Sequence, residues 1–178
     1  MSTTAAGVVL AAGAGSRFGM PKVLAGQGKW LKAAVEALSD GGCGDVVVVL
    51  GAAIVEVPPP ARAVVAEDWS DGLSASLRAG LSAVDADYAV VHTVDTPDVG
   101  AGVVQRVIAA AGAAPSGLAR ARYGDAPGHP VVIARRHWPA VLEGLRGDQG
   151  ARTFLAARDD VVEVGCADLA TGRDIDLR

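Results

Sequence analysis

Several of the groups on which functional sites are often built are scarce in this chain. Only two of its 178 residues are cysteines, Cys43 and Cys166, far apart and without a CxxC spacing. They are expected to be small buried hydrophobes in a reducing cytosol. Three histidines, His92, His129 and His137, show no zinc-ligand spacing. No apolar run reaches the length of a membrane span. The opening VVLAAGAG lacks a basic stretch before it and is too short for a signal peptide, so a mature cytoplasmic start is expected. Basic residues are outnumbered, and the net charge of −4 argues against a broad nucleic-acid-binding surface while leaving room for a local basic pocket. Aromatic residues make up only 4%.

What the chain does have is small apolar residues. Hydrophobic residues reach 51%, with alanine and valine dominant and 23 glycines beside them. That profile suits short buried strands and close helix–sheet packing, in a chain long enough to bury a core as one domain, residues 1–178. GVVLAA (7–12) and DVVVVLG (45–51) read as strands buried on both faces, and RAVVAE (62–67) as a third. YAVVHTVD (88–95) reads as a fourth strand that ends in an aspartate. Helical spacing marks 30–40, 73–84 and 101–112, and two further helices are expected over 136–145 and 149–158. GLARARY (117–123) alternates like a half-exposed strand; HPVVIA (129–134) and VVEVG (161–165) complete the set. Strand–helix alternation in the first two-thirds predicts a largely parallel sheet covered on both sides, with mixed-direction strands added later. The ligand site of such a sheet lies at the carboxyl ends of its strands.

LAAGAGSRFGMPK (10–22) falls at such an end. It is not a dinucleotide fingerprint: Gly13 and Gly15 fit, but the third glycine, Gly19, comes one residue late, and Pro21 interrupts the helix. It is not a P-loop either, because GQGKW (26–30) has no Ser or Thr after its lysine. What remains is a glycine loop whose N–H groups can converge on phosphate oxygens, with Arg17 as a planar fork and Lys22 as a point charge. A tight turn with two solvated cations is the plainer alternative. VHTVDTPDV (91–99) places Asp95 at the end of a strand, with Pro97 forcing a turn; Asp98 is read as the cap of the helix that follows.

The string LAAGxGxRxGxPK resembles the MobA-like NTP transferase family, in particular the cytidylyltransferases of molybdenum-cofactor (molybdopterin) maturation. The likeness continues through WSDGLSASLRAGL (69–81), VDTPDV (94–99) and GHPVVIARRHW…LRGDQGAR (128–152). It implies a three-layer α/β/α Rossmann-like nucleotidyltransferase fold, mostly parallel with added mixed strands. It implies further that Leu10, Ala11, Ala12, Gly13, Gly15, Arg17 and Lys22 surround a nucleoside triphosphate, with CTP preferred. Asp95 would hold Mg²⁺ on the phosphates, and attack on an α-phosphate needs such a hard cation. GRDIDLR (172–178) resembles the family's closing D-I-D-T-P, which makes Asp176 the second metal ligand and Asp174 the fallback; Leu177 replaces the threonine.

By position in the family, Gly72, Leu73 and Ser74 would contact the base and Ser76 the ribose side, at a helix start that offers free N–H groups. Plain N-capping is the alternative. His129, Asp148 and Arg152 would line the pocket of a small phosphorylated acceptor such as molybdopterin. The implied activity is catalysis by Arg17, Lys22 and Asp95 of nucleotidyl transfer with pyrophosphate release, with a molybdoenzyme as a further partner. Two rivals share the fold: an NAD(P)H-dependent reductase of the nicotine blue type, and a non-catalytic chaperone that carries a nucleotide or cofactor.

Overall fold

Continuous Val and Ala runs have no polar face to show to water, so they form the centre of a sheet, and the amphipathic segments between them cover it. The computed structural model describes residues 2–176; Met1, Leu177 and Arg178 lie outside the described residues. Seven strands are described: β1 (Ala5–Leu10), β2 (Asp45–Leu50), β3 (Arg62–Val65), β4 (Tyr88–Thr93), β5 (Leu118–Tyr123), β6 (Ala126–Ala134) and β7 (Val162–Gly165). They form one sheet in the order β3-β2-β1-β4-β6-β5-β7. The first four are parallel; β6 runs antiparallel to β4 and to β5, and β7 is parallel to β5.

Helices α1 (Lys29–Asp40) and α3 (Ala101–Ala113) cover one face, and α2 (Leu73–Ser82), α4 (Trp138–Gly144) and α5 (Ala151–Ala156) the other. Leu31, Ala34, Val35 and Leu38 recur every three or four residues along α1 and pack with Val9 and Val48. Val8 and Val49, one residue away on the same strands, face Leu77 and Leu81 of α2. The layers are therefore α/β/α, as expected.

Two expectations need correction. β3 is not a buried strand: it is the sheet edge, and most of its residues are exposed, because nothing pairs with its outer side. β1 ends at Leu10, so Ala11 and Ala12 belong to the departing loop. Cys43 and Cys166 are both buried, and burial pushes the Cys43 thiol up to about 12.

The chain builds outward from β1 on one side, through β2 and β3, and then crosses to β4 on the other. This reversal opens a crevice at the carboxyl ends of β1 and β4, where parallel sheets bind their ligands.

Candidate nucleotide and acceptor site

The loop after β1 keeps sheet-like hydrogen bonds for two residues, Ala11 N–H to Val49 O at 3.0 Å and Ala52 N–H to Ala12 O at 2.9 Å, and then curls. Gly19 N–H closes the turn on Gly15 O at 2.8 Å. Gly15 has φ +65°, and a Cβ there would stand 1.8 Å from the Met20 carbonyl oxygen, so only glycine fits. Phe18 packs on Trp30 with ring centroids 5.2 Å apart, which fastens the hairpin to α1.

Just past Pro21, a short 3₁₀ turn begins at Lys22. The Lys22 ammonium donates to Asp95 Oδ2 at 3.1 Å and to Asp176 Oδ1 at 2.9 Å. Residues 73 and 154 positions apart in the chain thus meet on one nitrogen. The meeting is enforced by the closing segment, where Ile175 N–H donates to the Asp95 carbonyl at 3.0 Å. Lys22 and Asp95 are largely sheltered, with 16% and 22% of their side chains exposed, while Asp176 is 54% exposed. Burial works to lower the Lys22 pKa, but the hydrogen bonds to Asp176 and Asp95 outweigh it and hold the ammonium above its ordinary value. Lys22 in turn holds Asp176 below the usual carboxylate range.

A cavity of about 300 Å³ opens here, lined among others by Leu10, Gly13, Gly15, Lys22, Leu73 and Asp95. Ala11 also lines it, while Ala12 is buried in the core on the α2 face. Arg17 is exposed on the hairpin and makes no hydrogen bond among the described residues; its charge helps depress Asp176.

The helix start beside this cavity differs from expectation. Ser74 N–H is not free: it donates to Gly147 O at 2.9 Å, and Ala75 N–H donates to Gly72 O at 3.2 Å. Ser74 and Ser76 are both buried. Gly72 has φ +113°, and a Cβ there would lie 2.5 Å from both Gly147 O and Asp148 Oδ1. The 145–150 loop is seated on the α2 N-terminus, and of these residues it is Leu73 that lines the cavity.

A second, smaller cavity of about 110 Å³ is lined by Arg120, Gly128, His129, Arg152, Leu155 and Asp174, among others. His129 is half-buried, follows Gly128 and precedes a cis Pro130, and its carbonyl accepts the Tyr123 hydroxyl at 2.6 Å. Burial lowers the His129 pKa; Asp95 and Asp174 pull it upward, and Arg152 lowers it. Asp148 is not part of this lining, since it rests against Gly72 instead. Sequence reasoning does not single out Arg120. In a segment reading Arg-Ala-Arg it looks like a solvent-side residue, and only the pairing of β5 with β7, which sets Arg120 opposite Glu163, locates it.

Asp98 does not cap α3. The N-cap is Gly100, without a side-chain cap, and Asp98 accepts from Thr171 N–H at 2.8 Å and Thr171 Oγ1 at 2.6 Å. It therefore pins the closing segment, which runs between the two cavities and presents Asp174 to one and Asp176 to Lys22 at the other.

Among the described residues no group of three or more His, Cys, Asp and Glu side chains could hold a metal ion by itself. Asp95 and Asp176 nevertheless converge on a single cationic point, and two carboxylate oxygens suit an ion that completes its shell with phosphate and water.

An α/β/α sheet with a glycine hairpin, a lysine and a strand-end aspartate gathered at its reversal point is a nucleotidyltransferase-type fold. Within that class the chain belongs to the MobA-like NTP transferase domain family, which matches residues 7–161. It is 38% identical over 187 residues to the nicotine blue oxidoreductase of Paenarthrobacter nicotinovorans, covering 96% of this chain and 91% of that protein. Among solved structures it resembles the homologue of Mycobacterium tuberculosis Rv0371c from Mycobacterium sp. strain JC1, at 28% identity and TM-score 0.79, with 97% and 90% of the two chains covered. It also resembles M. tuberculosis H37Rv Rv0371c in complex with manganese, at 26% identity and TM-score 0.71, over 92% and 88% of the chains. No helix among the described residues is long and apolar enough to cross a membrane.

Proposed function

We propose that this protein transfers a nucleoside monophosphate, CMP from CTP, to a small phosphorylated acceptor of the molybdopterin kind and releases pyrophosphate. One observation carries the reading: the Lys22 ammonium held jointly by Asp95 and Asp176 beside the glycine hairpin. A sheltered cation that already bridges two carboxylates is an arrangement waiting for polyphosphate, because a metal ion can take over the carboxylates while the lysine turns to the phosphates.

In this reading the N–H groups of 13–15 and the Arg17 fork bind the phosphates, Lys22 neutralises charge at the α-phosphate, and Leu10 and Leu73 enclose the base. Asp95 and Asp176 would hold the divalent cation, Mg²⁺, and the manganese complex of the mycobacterial relative supports a divalent ion at this kind of fold. When bound, that ion supplies neutralisation of the developing pyrophosphate charge. The acceptor phosphate is itself the nucleophile, so no covalent intermediate on the protein is required. His129 and Arg152 hold that acceptor on the other side of the closing segment, with Asp148 steadying the loop on α2. A cytoplasmic enzyme that passes its product to a molybdoenzyme fits this chemistry.

The test is thermal stabilisation by CTP, GTP, ATP and UTP, each with and without Mg²⁺, followed by pyrophosphate release in the presence of phosphorylated acceptors. CTP is expected to stabilise most and only with the metal; no stabilisation by any triphosphate would overturn the reading. A second reading, nicotinamide-dependent reduction, is favoured by the relative at 38% identity. NADPH quenching of Trp fluorescence, together with NADPH oxidation once the nicotine blue pigment is added as hydride acceptor, would establish it, whereas a transferase leaves NADPH unconsumed.

A further inference from the structure

The cavity around His129 contains more positive charge than the family resemblance assigns to it. Arg120 enters from β5 and Arg152 from α5, and both line a space of only about 110 Å³. Arg120 is already half-committed: its Nε and Nη2 both donate to Glu163 Oε1, at 2.8 and 2.6 Å, and Nη1 makes no hydrogen bond among the described residues. Arg152 is exposed and makes none, and the His129 ring is likewise without a hydrogen bond among the described residues while not being sealed from solvent. One carboxylate, Asp174, lines the same space. Two guanidinium groups and an imidazole around a volume this small form a receptor for one compact oxyanion, because guanidinium forks match tetrahedral and planar oxyanions with paired N–H donors.

We propose that Arg120 is a specificity-determining residue: with Arg152 and His129 it grips two oxygens of the acceptor's anionic head at this cavity and leaves one oxygen free toward the first cavity as the nucleophile, while the rest of the acceptor stays outside. The inference rests on the transferase reading for calling the bound species the acceptor, but the anion site itself stands on the cavity alone. Its chemistry is that of a phosphomonoester head; a carboxylate is also anionic but carries less charge and lacks the third oxygen. The Arg120–Glu163 pair sets the affinity, since Glu163 competes with the incoming anion for the same guanidinium. The limit on size has a consequence for selectivity. A fused-ring or nucleoside acceptor enters head first, and its body is read by the rim and not by this cavity.

Inorganic phosphate and acetate, titrated into the ¹⁵N-labelled full chain without nucleotide or metal, test the proposal by amide chemical shifts. Phosphate is expected to move the amides of Gly128, His129, Arg152 and Thr153, several-fold more tightly than acetate does. Arg120→Gln and Arg152→Gln are each expected to weaken that response about tenfold or more while leaving any phosphate response at Gly13 and Gly15 unchanged. Lys22→Gln should do the reverse. Glu163→Gln keeps Arg120 and removes the charge that competes for its fork, leaving only a neutral amide acceptor, and is expected to tighten phosphate binding several-fold; because it needs no arginine removed, it guards against a variant that simply fails to fold. Phosphate shifts confined to the glycine hairpin, or a Glu163→Gln variant that binds no better than the parent, would overturn the anion site. Equal binding of acetate and phosphate would overturn the phosphomonoester assignment. None of these readouts involves nucleotide, so their failure is distinct from an absence of CTP binding or pyrophosphate release.

Discussion

The two cavities at the carboxyl edge of the sheet are neighbours with different construction. The first is built mainly from two continuous stretches, β1 running directly into the hairpin and Lys22 and β4 running directly into Asp95, with Leu73 and Asp176 brought in from distant segments. Its wall is mostly small and apolar, and its one sheltered cation is shared by two carboxylates. The second is assembled from β5, the start of β6, α5 and the closing segment, and it carries two arginines beside one aspartate. The proposed transfer between two anions would demand this contrast. A triphosphate brings a metal with it and needs carboxylates to hold that metal, whereas a phosphomonoester arrives alone and needs cations from the protein.

The sharpest way to break this contrast is to remove the centre of the first cavity. Asp95→Ala and Lys22→Ala are each expected to lower pyrophosphate release by roughly 10²–10³-fold, the usual loss for one group that stabilises transition-state charge. The circular dichroism spectrum should stay unchanged, since neither side chain lies in the apolar core. Full release by either variant would remove the assigned roles. Gly15→Ala comes next. Its Cβ would collide with the Met20 carbonyl and φ is +65°, so a loss of about 1–3 kcal/mol in stability and the disappearance of triphosphate-dependent stabilisation are expected in a thermal melt. Asp176→Asn is smaller. The residue is exposed and its bond to Lys22 is screened by water, so roughly a fivefold rise in the metal concentration giving half-maximal rate is expected, with the rate at saturating metal nearly kept.

The same contrast separates what is legible in the sequence from what is not. The first cavity lies in continuous motifs, so Gly13, Gly15, Lys22 and Asp95 stand out as a group from residue order alone. The strands are legible for the same reason, because a fully buried run has few other places to go. The features that escape such reading depend on contacts between distant segments. Arg120 needs the register of β5 against β7. The blocked amide of Ser74 needs a carbonyl 73 residues further along, at Gly147. Asp98 has the sequence position of a cap, and only the path of the closing segment gives it Thr171 instead. The edge position of β3 is hidden too, since Val-Val in a short strand reads the same whether or not a neighbour covers it.

Proton linkage separates the two regions most finely. Near the first cavity, Lys22 is raised from 10.5 and Asp176 is lowered from 3.8, so neither changes charge between pH 5 and 7. Two histidines behave differently: His129 of the second region, and His92 on β4, close enough for His129 to act on it. His92 on β4 is wholly buried, neither ring nitrogen meets a hydrogen-bonding group among the described residues, and burial and the nearby His129 push its pKa down to about 3. His129 is shifted in the same direction by burial. Unfolded, both take up a proton near pH 6.5; folded, they resist it. The unfolded chain therefore binds more protons below that pH, and the stability contributed by neutral histidine is present above 6.5 and is lost as pH falls towards 3. The ceiling is about 1.4 kcal/mol per pH unit for each histidine. Asp174, raised by burial, opposes this slope at its acid end, because its folded form prefers the proton. Urea unfolding at pH 7, 6 and 5 is expected to show stability falling with pH in the parent. His92→Leu, close in volume and without a proton to exchange, should show a clearly shallower fall. Parallel slopes for the two proteins would mean that His92 is not held neutral.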